Sequence, residues 1–162
     1  MNDSGSMSVP LTDADIRGMS AALTEAREAE EAGEVPVGAA VVIDGEVVSR
    51  AHNETVARKD LTQHAELIAI QRALATLDTD RLDTATLYVT LEPCAQCAGA
   101  IVLARVGRVI FGAYDPKAGM VGSVEDLLRH PKLNNTPEVR GGVRAEECGE
   151  LLSGFFNARR GS

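Results

Sequence analysis

The sequence has 162 residues, of which 44% are hydrophobic and 25% charged, and its net charge is −8. These values are typical of one globular domain, and the absence of any apolar run of about 18 residues excludes a membrane span. The acidic N-terminus lacks the regions of a secretory signal, and three cysteines, two of them close together, favour a reduced compartment over a disulfide framework. We therefore expect a cytoplasmic protein with a flexible lead-in over residues 1–10 and a single domain over residues 11–160.

The first part of this domain predicts a helix followed by a β-hairpin. A helix begins at a cap near Thr12, continues with apolar residues at a spacing of roughly 3.6, and ends at Gly33. The pair Asp44-Gly45 then separates two short apolar segments, 37–43 and 46–50. Because an Asp-Gly pair favours a tight turn between strands, we expect an N-terminal β-hairpin.

From His64 onward, helices and strands alternate along the chain. A helix begins near His64, a strand covers 85–91, a second helix begins at Pro93, and another strand covers 106–112. This alternation favours strands that pair in parallel, with helices packed on both faces of the sheet. The predicted fold class is α/β, a three-layer α/β/α arrangement around a mixed, mainly parallel five-stranded sheet.

The last part of the chain predicts a long loop and a closing helix. Glycine and proline recur through residues 114–135, with one short helix predicted at 124–128. Residues 136–143 would supply the fifth strand at an edge of the sheet. Residues 145–160 carry apolar residues at helical spacing and predict the closing helix.

Two short segments carry the residues with metal-binding chemistry, His64-Ala65-Glu66 and Pro93-Cys94-Ala95-Gln96-Cys97. Together they supply one imidazole and two thiols, and a helix N-terminus favours the thiolate form of both cysteines. Three such ligands hold a tetrahedral zinc ion with one open position, as catalytic zinc requires. The sequence therefore predicts Zn²⁺ bound by His64, Cys94 and Cys97. A redox pair at the two cysteines is the alternative, but it leaves the His-Ala-Glu triplet unexplained.

Glu66 is the candidate base beside this zinc ion. Residues two apart on a helix point about 200° apart, so His64 and Glu66 can both face one metal only at a junction between loop and helix. Thr62 would cap that helix. The alternative is that Glu66 only completes a capping box, but this requires an offset of three residues from the capping residue, and Glu66 lies one residue further along.

These residue types together predict hydrolytic deamination. Bound zinc lowers the pKa of a coordinated water toward neutrality. Glu66 would take a proton from that water and return it to a departing amine, so that hydroxide adds to an amidine-like ring carbon and ammonia leaves.

The triplet at His64, followed about 30 residues later by Pro-Cys-x-x-Cys, resembles the signature of the cytidine deaminase-like zinc superfamily. Further stretches are similar to the tRNA adenosine deaminases within that superfamily: 34–39, 85–101, 107–112, 122–123 and 147–160. The likeness covers about residues 12–160, and no single motif carries it.

The resemblance implies a homodimer with one Zn²⁺ per subunit. Its substrate would be the wobble adenosine, position 34, of a tRNA anticodon stem-loop, converted to inosine by attack of hydroxide at C6 while Glu66 moves protons. By position, the resemblance assigns contacts with the flipped base to Asn53, Pro36 and Val37, and contacts with the RNA to Asp115, Arg159 and Arg160.

Plainer roles are open for several of these residues. Asn53 could simply end a strand, and Arg159 and Arg160 could form an ordinary solvated helix end. The segment before His64 departs from the family pattern, because Leu61 and Gln63 stand where proline and alanine are usual.

Two other functions fit the same zinc ligands. A deaminase of a free base or nucleoside, such as guanine or cytosine, is favoured by the net charge of −8, whereas the long loop and the basic C-terminal helix favour RNA. A non-catalytic structural zinc module would need a fourth protein ligand, for which Cys148 and His52 are the candidates. No membrane or DNA partner is expected.

Overall fold

The computed structural model describes residues 10–133 and 135–160, so the lead-in expected over residues 1–10 lies outside the described residues except for Pro10. The described residues form four helices and five strands. In chain order they are α1 Asp13–Glu31, β1 Gly38–Ile43, β2 Glu46–His52, α2 Ala65–Leu77, β3 Thr86–Leu91, α3 Ala95–Leu103, β4 Arg108–Ala113, β5 Glu138–Arg140 and α4 Ala145–Arg160. None of these helices is long and apolar enough to span a membrane.

The five strands form one mixed sheet in the order β2-β1-β3-β4-β5. Strand β1 pairs antiparallel with both β2 and β3, whereas β3, β4 and β5 run parallel to one another. The predicted fold class, with its N-terminal hairpin, is confirmed. Parallel pairs account for half of the pairings rather than most of them, because the hairpin inserts β1 beside β3 and so contributes both antiparallel pairs.

Alternating side chains on the central strands divide the core into two layers. Val89 of β3 packs in the cluster that contains Ile68 of α2, on one face of the sheet. The adjacent residue Tyr88 points to the other face and packs with Met19 of α1 and Cys148 of α4. Helices therefore cover both faces, which confirms the predicted α/β/α layers.

One local prediction in the last part of the chain is wrong, and the predicted edge strand is present but shorter than expected. Residues 124–128 form no helix, because the chain turns back on itself there through a bridge between Val121 and Asp126. Strand β5 has only three residues, shorter than the predicted segment 136–143. A helix of only five residues at 124–128 would be marginally stable by itself, so backbone hydrogen bonds within this loop decide the conformation of the loop.

Candidate active site

The candidate metal ligands lie where two helix N-termini meet beside the carboxyl end of β3. His64 is the N-cap of α2, with extended backbone at φ −88° and ψ 152°. Cys94 is the N-cap of α3, also extended, at φ −80° and ψ −178°. Pro93 therefore precedes helix α3 instead of occupying its first turn as predicted. Both caps place side chains beside free backbone N–H groups, an environment that favours negative charge on the ligands.

The three candidate ligands converge closely. The Nδ1 atom of His64 lies 3.5 Å from the sulfur of Cys94 and 3.5 Å from the sulfur of Cys97. A tetrahedral centre with bonds of about 2.0 Å to nitrogen and about 2.3 Å to sulfur separates those ligand atoms by about 3.5 Å. The donor set and its spacing therefore fit zinc.

Within residues 10–133 and 135–160, no fourth protein ligand joins this group, whose ligand atoms lie within 4.8 Å of one another. Cys148 is 1% exposed and packs in the core on the α1 face of the sheet. The Nδ1 atom of His52 lies 2.9 Å from the carbonyl oxygen of Asn53. Neither candidate for a fourth ligand belongs to the cluster, which leaves the open position that catalysis requires and a structural zinc module lacks.

The electrostatics of the cluster favour a thiolate at Cys94. Its contacts with Cys97 and with the His64 ring lower the pKa of the Cys94 thiol to about 3. The same Cys94 sulfur raises the pKa of the His64 ring. Contact with the Cys94 thiolate and burial raise the pKa of Cys97, because a second negative charge is unfavourable there. A divalent cation would remove that penalty.

Glu66 lies in the first turn of α2, so the expected junction between loop and helix at His64 and Glu66 is present. The side chain is 4% exposed and borders the main cavity. Burial raises the pKa of the Glu66 carboxyl from its ordinary value of 4.5 to about 7, with only partial offsets from its own backbone and from His64. A carboxyl with this pKa can exchange a proton near neutral pH.

The segment before His64 is folded around Asp60, and Thr62 does not cap helix α2. The backbone N–H and hydroxyl of Thr62 both donate to Oδ1 of Asp60, at 2.9 and 2.7 Å. The Gln63 amide donates to Oδ2 of Asp60 at 3.0 Å, and Gln63 is not among the residues that line the cavity. Leu61 does border the cavity and is 83% exposed. Of the two departures from the family pattern, only Leu61 changes the cavity wall.

Asn53 takes over the capping role. Its Oδ1 accepts a 2.8 Å hydrogen bond from the backbone N–H of Ala65, while the His64 side chain makes no capping bond. This bond fixes the orientation of the amide, and Asn53 also borders the cavity. Strand β2 ends one residue earlier, at His52. Asn53 thus joins the end of a strand to the start of the helix that carries Glu66.

The main cavity has a volume of about 680 Å³ and opens beside the candidate metal ligands. Its lining comprises Val35, Val37, Asn53, Thr55, Leu61, His64, Glu66, Leu91, Glu92, Cys94, Tyr114, Asp115, Pro116, Lys117, Ala118, Leu152, Phe156 and Arg160. Four of the six residues predicted to bind substrate are in this set. Pro36 and Arg159 are not, and Val35 lines the wall beside Val37 instead.

Asp115 and Arg159 make different contacts with the rest of the protein. The Asp115 carboxylate accepts hydrogen bonds from the backbone N–H groups of Lys117 and Ala118 at 3.1 and 3.2 Å, so it shapes the turn that holds Lys117 at the cavity. Arg159 stacks 4.3 Å above the Phe155 ring and donates to the carbonyl of Gly33 at 2.9 Å, which joins α4 to the end of α1.

Two buried carboxylates that sequence reasoning missed hold the loops that form the cavity wall. Glu34 is 1% exposed and accepts hydrogen bonds from the backbone N–H groups of Val56 and Ala57 at 3.0 and 2.8 Å. It also accepts from the hydroxyl of Thr55, a cavity residue. Glu92 holds the second of these loops, because its carboxylate accepts hydrogen bonds from the backbone N–H groups of Asp115, Val121 and Ser123. Local sequence gives no signal for either glutamate, because the donors to both carboxylates lie on segments more than 20 residues away.

Together, this fold and its His/Cys/Cys cluster beside a buried glutamate define a protein of the cytidine deaminase-like class. The model of the MafB19-like deaminase family matches residues 14–160. The chain belongs to that family.

Two proteins similar to this chain are described as acting on tRNA. The tRNA-specific adenosine deaminase of Bacillus subtilis (strain 168) is 51% identical over 142 residues, which cover 88% of each chain. A solved structure from studies of A-to-I editing by tRNA:A34 deaminases at the wobble position is 44% identical, with a TM-score of 0.81, and the match covers 85% of this chain and 99% of that one.

A guanine deaminase from Nitrosomonas europaea shares the fold at 22% identity, with a TM-score of 0.77, over 91% of this chain and 86% of that one.

Proposed function

We propose that this protein is a zinc-dependent hydrolase that deaminates the wobble adenosine, position 34, of tRNA to inosine. The observation that carries the proposal is the cluster of His64, Cys94 and Cys97 at metal-ligand spacing beside the buried Glu66, in a chain 51% identical to a tRNA-specific adenosine deaminase. Residues 11–160 form the single deaminase domain, and a tRNA substrate places the activity in the cytoplasm.

His64, Cys94 and Cys97 hold one Zn²⁺ per subunit. Zinc bound by these residues would lower the pKa of a coordinated water and so make hydroxide available at neutral pH. Glu66 would take a proton from the attacking water and deliver it to the amine that leaves C6, so one carboxyl would act first as base and then as acid. In the absence of metal, burial raises the pKa of the Glu66 carboxyl to about 7, so this environment favours proton uptake by Glu66.

The cavity wall accounts for recognition of an unstacked adenosine. Asn53 has its Oδ1 committed to Ala65, which leaves its amide N–H₂ as the donor for the flipped base, with Val37 packing against the ring. At the cavity mouth, Tyr114 and Phe156 are 54% and 43% exposed and offer aromatic faces for neighbouring bases.

Basic residues at the same mouth suit the phosphates of an anticodon loop. Lys117 and Arg160 border the cavity from two different elements, the loop after β4 and the end of α4. The net charge of the whole chain is −8, so phosphate binding depends on this local arrangement rather than on overall charge.

The active form is a homodimer. Helix α3 supports this, because its last residue, Leu103, is 83% exposed although it follows the buried Ile101 on the same short helix. A contact between two subunits through this end of α3 would bury the Leu103 side chain. Light scattering of the wild-type protein and of Leu103→Glu tests the dimer, and a monomeric wild-type protein would contradict it.

A deaminase of free bases is the second candidate, favoured by the net charge of −8. Incubation with an anticodon stem-loop that carries adenosine at position 34, and separately with guanine and cytosine, distinguishes the two. We expect inosine in the RNA and no ammonia from the bases. Release of ammonia from a free base without inosine in the RNA would establish the second candidate.

Metal dependence has its own test. His64→Ala should lose both zinc and activity, measured by elemental analysis and by inosine formation. His130→Ala is the matched control, because His130 is exposed and its Nδ1 accepts only the backbone N–H of Lys132. Full zinc content in His64→Ala would show that the ligand set is wrong.

A further inference from the structure

The Glu92 carboxylate is an acceptor for four donors from one loop. The side chain is 2% exposed and lies in the chain between β3 and α3, the helix whose N-cap is Cys94. Its Oε1 accepts the backbone N–H of Asp115 at 2.9 Å and the hydroxyl of Ser123. Its Oε2 accepts the backbone N–H groups of Val121 and Ser123 at 2.9 and 3.0 Å. Both carboxylate oxygens are therefore fully committed to residues 115–123.

The loop closes tightly around this carboxylate. A Cβ atom at Gly119 would lie 2.3 Å from the Glu92 carboxyl carbon, so no larger residue fits there without movement. The backbone N–H of Met120 donates to the carbonyl of Pro93 at 2.9 Å, and the N–H of Glu92 donates to the carbonyl of Ala113 at 2.8 Å. These bonds attach both ends of the loop to the segment that leads into the metal ligand Cys94.

The same loop forms one wall of the cavity. Residues 114–118 all line it, including Lys117 and the aromatic Tyr114. Glu92 also borders the cavity, but its oxygens are occupied by the loop, so it is not available to contact substrate. The position of this wall relative to Glu66 thus depends on a side chain that neither binds metal nor moves protons.

We propose that Glu92 is a positioning residue for substrate binding, which holds residues 114–118 against the cavity so that they bind the nucleotides around the reacting base. This rests on the proposed function for the identity of the substrate. Glu92 acts through the loop, and the chemical step at the metal does not use it.

Glu92→Gln is the sharpest variant, because the amide keeps the size of the side chain but turns an N–H₂ group toward backbone N–H donors. Amide hydrogen exchange in the free protein should accelerate by about tenfold or more at Asp115, Val121 and Ser123, and not in α2. The KM for the stem-loop should rise by about tenfold or more, with kcat within about threefold of wild type and zinc content unchanged.

Two further variants complete the test. Glu125→Gln is the matched control, since Glu125 is exposed on the same loop, and it should leave exchange rates and KM unchanged. Ser123→Ala removes one of the four donors and should change exchange rates and KM in the same direction by less, which keeps the proposal testable if Glu92→Gln fails to fold.

The exchange measurement needs no substrate, so it separates this proposal from the proposed function. Inactivity of the wild-type enzyme on RNA would contradict the proposed function, while unchanged exchange in Glu92→Gln would contradict the loop-holding role. Faster exchange with unchanged KM, or loss of zinc, or a loss confined to kcat, would each overturn the positioning role.

Discussion

Asp15 and Glu66 are both buried carboxyls on helices, but the protein treats them in opposite ways. Asp15, on the α1 face of the sheet, accepts hydrogen bonds from the Tyr88 hydroxyl and from Arg108, each at 2.6 Å. Burial alone would raise the pKa of Asp15, but these bonds hold it well below its ordinary value of 3.8. Glu66, on the α2 face, borders a cavity, and burial raises its pKa to about 7.

The difference suits Asp15 to a role in stability and Glu66 to the proton transfer proposed for it. Asp15 is held in a single charged state by partners that saturate it, so it cannot exchange a proton near neutral pH. Glu66 is left near the midpoint of its titration, which costs stability when it is charged but makes proton transfer accessible. Substitution of each carboxyl should therefore damage a different property of the protein.

The largest expected effect is on catalysis at Glu66. Glu66→Gln keeps the shape of the side chain but cannot accept a proton, so kcat should fall by about 10³-fold or more. Zinc content should remain at one per subunit, and the free energy of unfolding should be unchanged or higher because a buried ionisable group is removed. Inosine formation measures kcat, elemental analysis measures the zinc content, and urea unfolding measures the free energy of unfolding. An active Glu66→Gln enzyme would overturn the assigned role.

The converse change is Asp15→Asn. It leaves the Arg108 charge without its buried partner and should lower the free energy of unfolding by about 2–4 kcal/mol. Because Asp15 does not line the cavity, the KM and kcat of the folded fraction should stay close to wild type. Urea denaturation and steady-state kinetics at a temperature where the variant is folded provide the check. A change in KM or kcat without a lower free energy of unfolding would contradict the assignment of Asp15 to stability.

The pH dependence of stability should show opposite slopes for the two groups. The folded-state pKa of Asp15 is lowered, so its contribution is complete above the unfolded value of 3.8 and is lost as pH falls below it. The folded-state pKa of Glu66 is raised, so in metal-free protein its own contribution to stability is lost as pH rises from 4.5 to about 7, by about 3 kcal/mol. The lowered pKa of Cys94 adds a rise of stability with pH that wild type and Glu66→Gln share. Urea unfolding in the presence of a chelator, across pH 3 to 8, measures both.

The two variants assign each slope to its group. Relative to wild type, Asp15→Asn should lose less stability as pH falls into the acid range, and Glu66→Gln should gain stability over wild type as pH rises from 4.5 to about 7. If the difference in free energy of unfolding between wild type and Glu66→Gln did not change over this range, the raised pKa would belong to another group.

The sequence predicted the metal-ligand side of the site better than the cavity wall, for a physical reason. His64, Cys94 and Cys97 are identified by residue type and by nearness to helix starts, both of which are local properties. The cavity wall depends on hydrogen bonds between distant segments, such as Glu92 to Ser123 or Glu34 to Ala57, for which periodicity gives no signal.

The same reason explains what was wrong in the fold. The order of helices and strands follows from local patterns, and those predictions are confirmed. The sequence predicts a short helix over 124–128, whereas bonds such as Val124 N–H to the Gly119 carbonyl decide the conformation of this loop. The capping role of Asn53 was missed because its partner, Ala65, lies on another element.

Arg159 and Arg160 extend the comparison to two adjacent residues, with smaller effects. Arg160 borders the cavity and bonds to Asn157 on its own helix, so Arg160→Ala should raise KM for the stem-loop by about threefold to tenfold, less so at high salt, without changing stability. Arg159 packs on Phe155 and Gly33, so Arg159→Ala should lower the free energy of unfolding by about 1 kcal/mol with a smaller change in KM. Salt-dependent kinetics and urea unfolding separate the two. If Arg159→Ala raised KM more than Arg160→Ala at equal stability, Arg159 would be the RNA contact, and α4 would have to rotate on binding to bring it to the cavity.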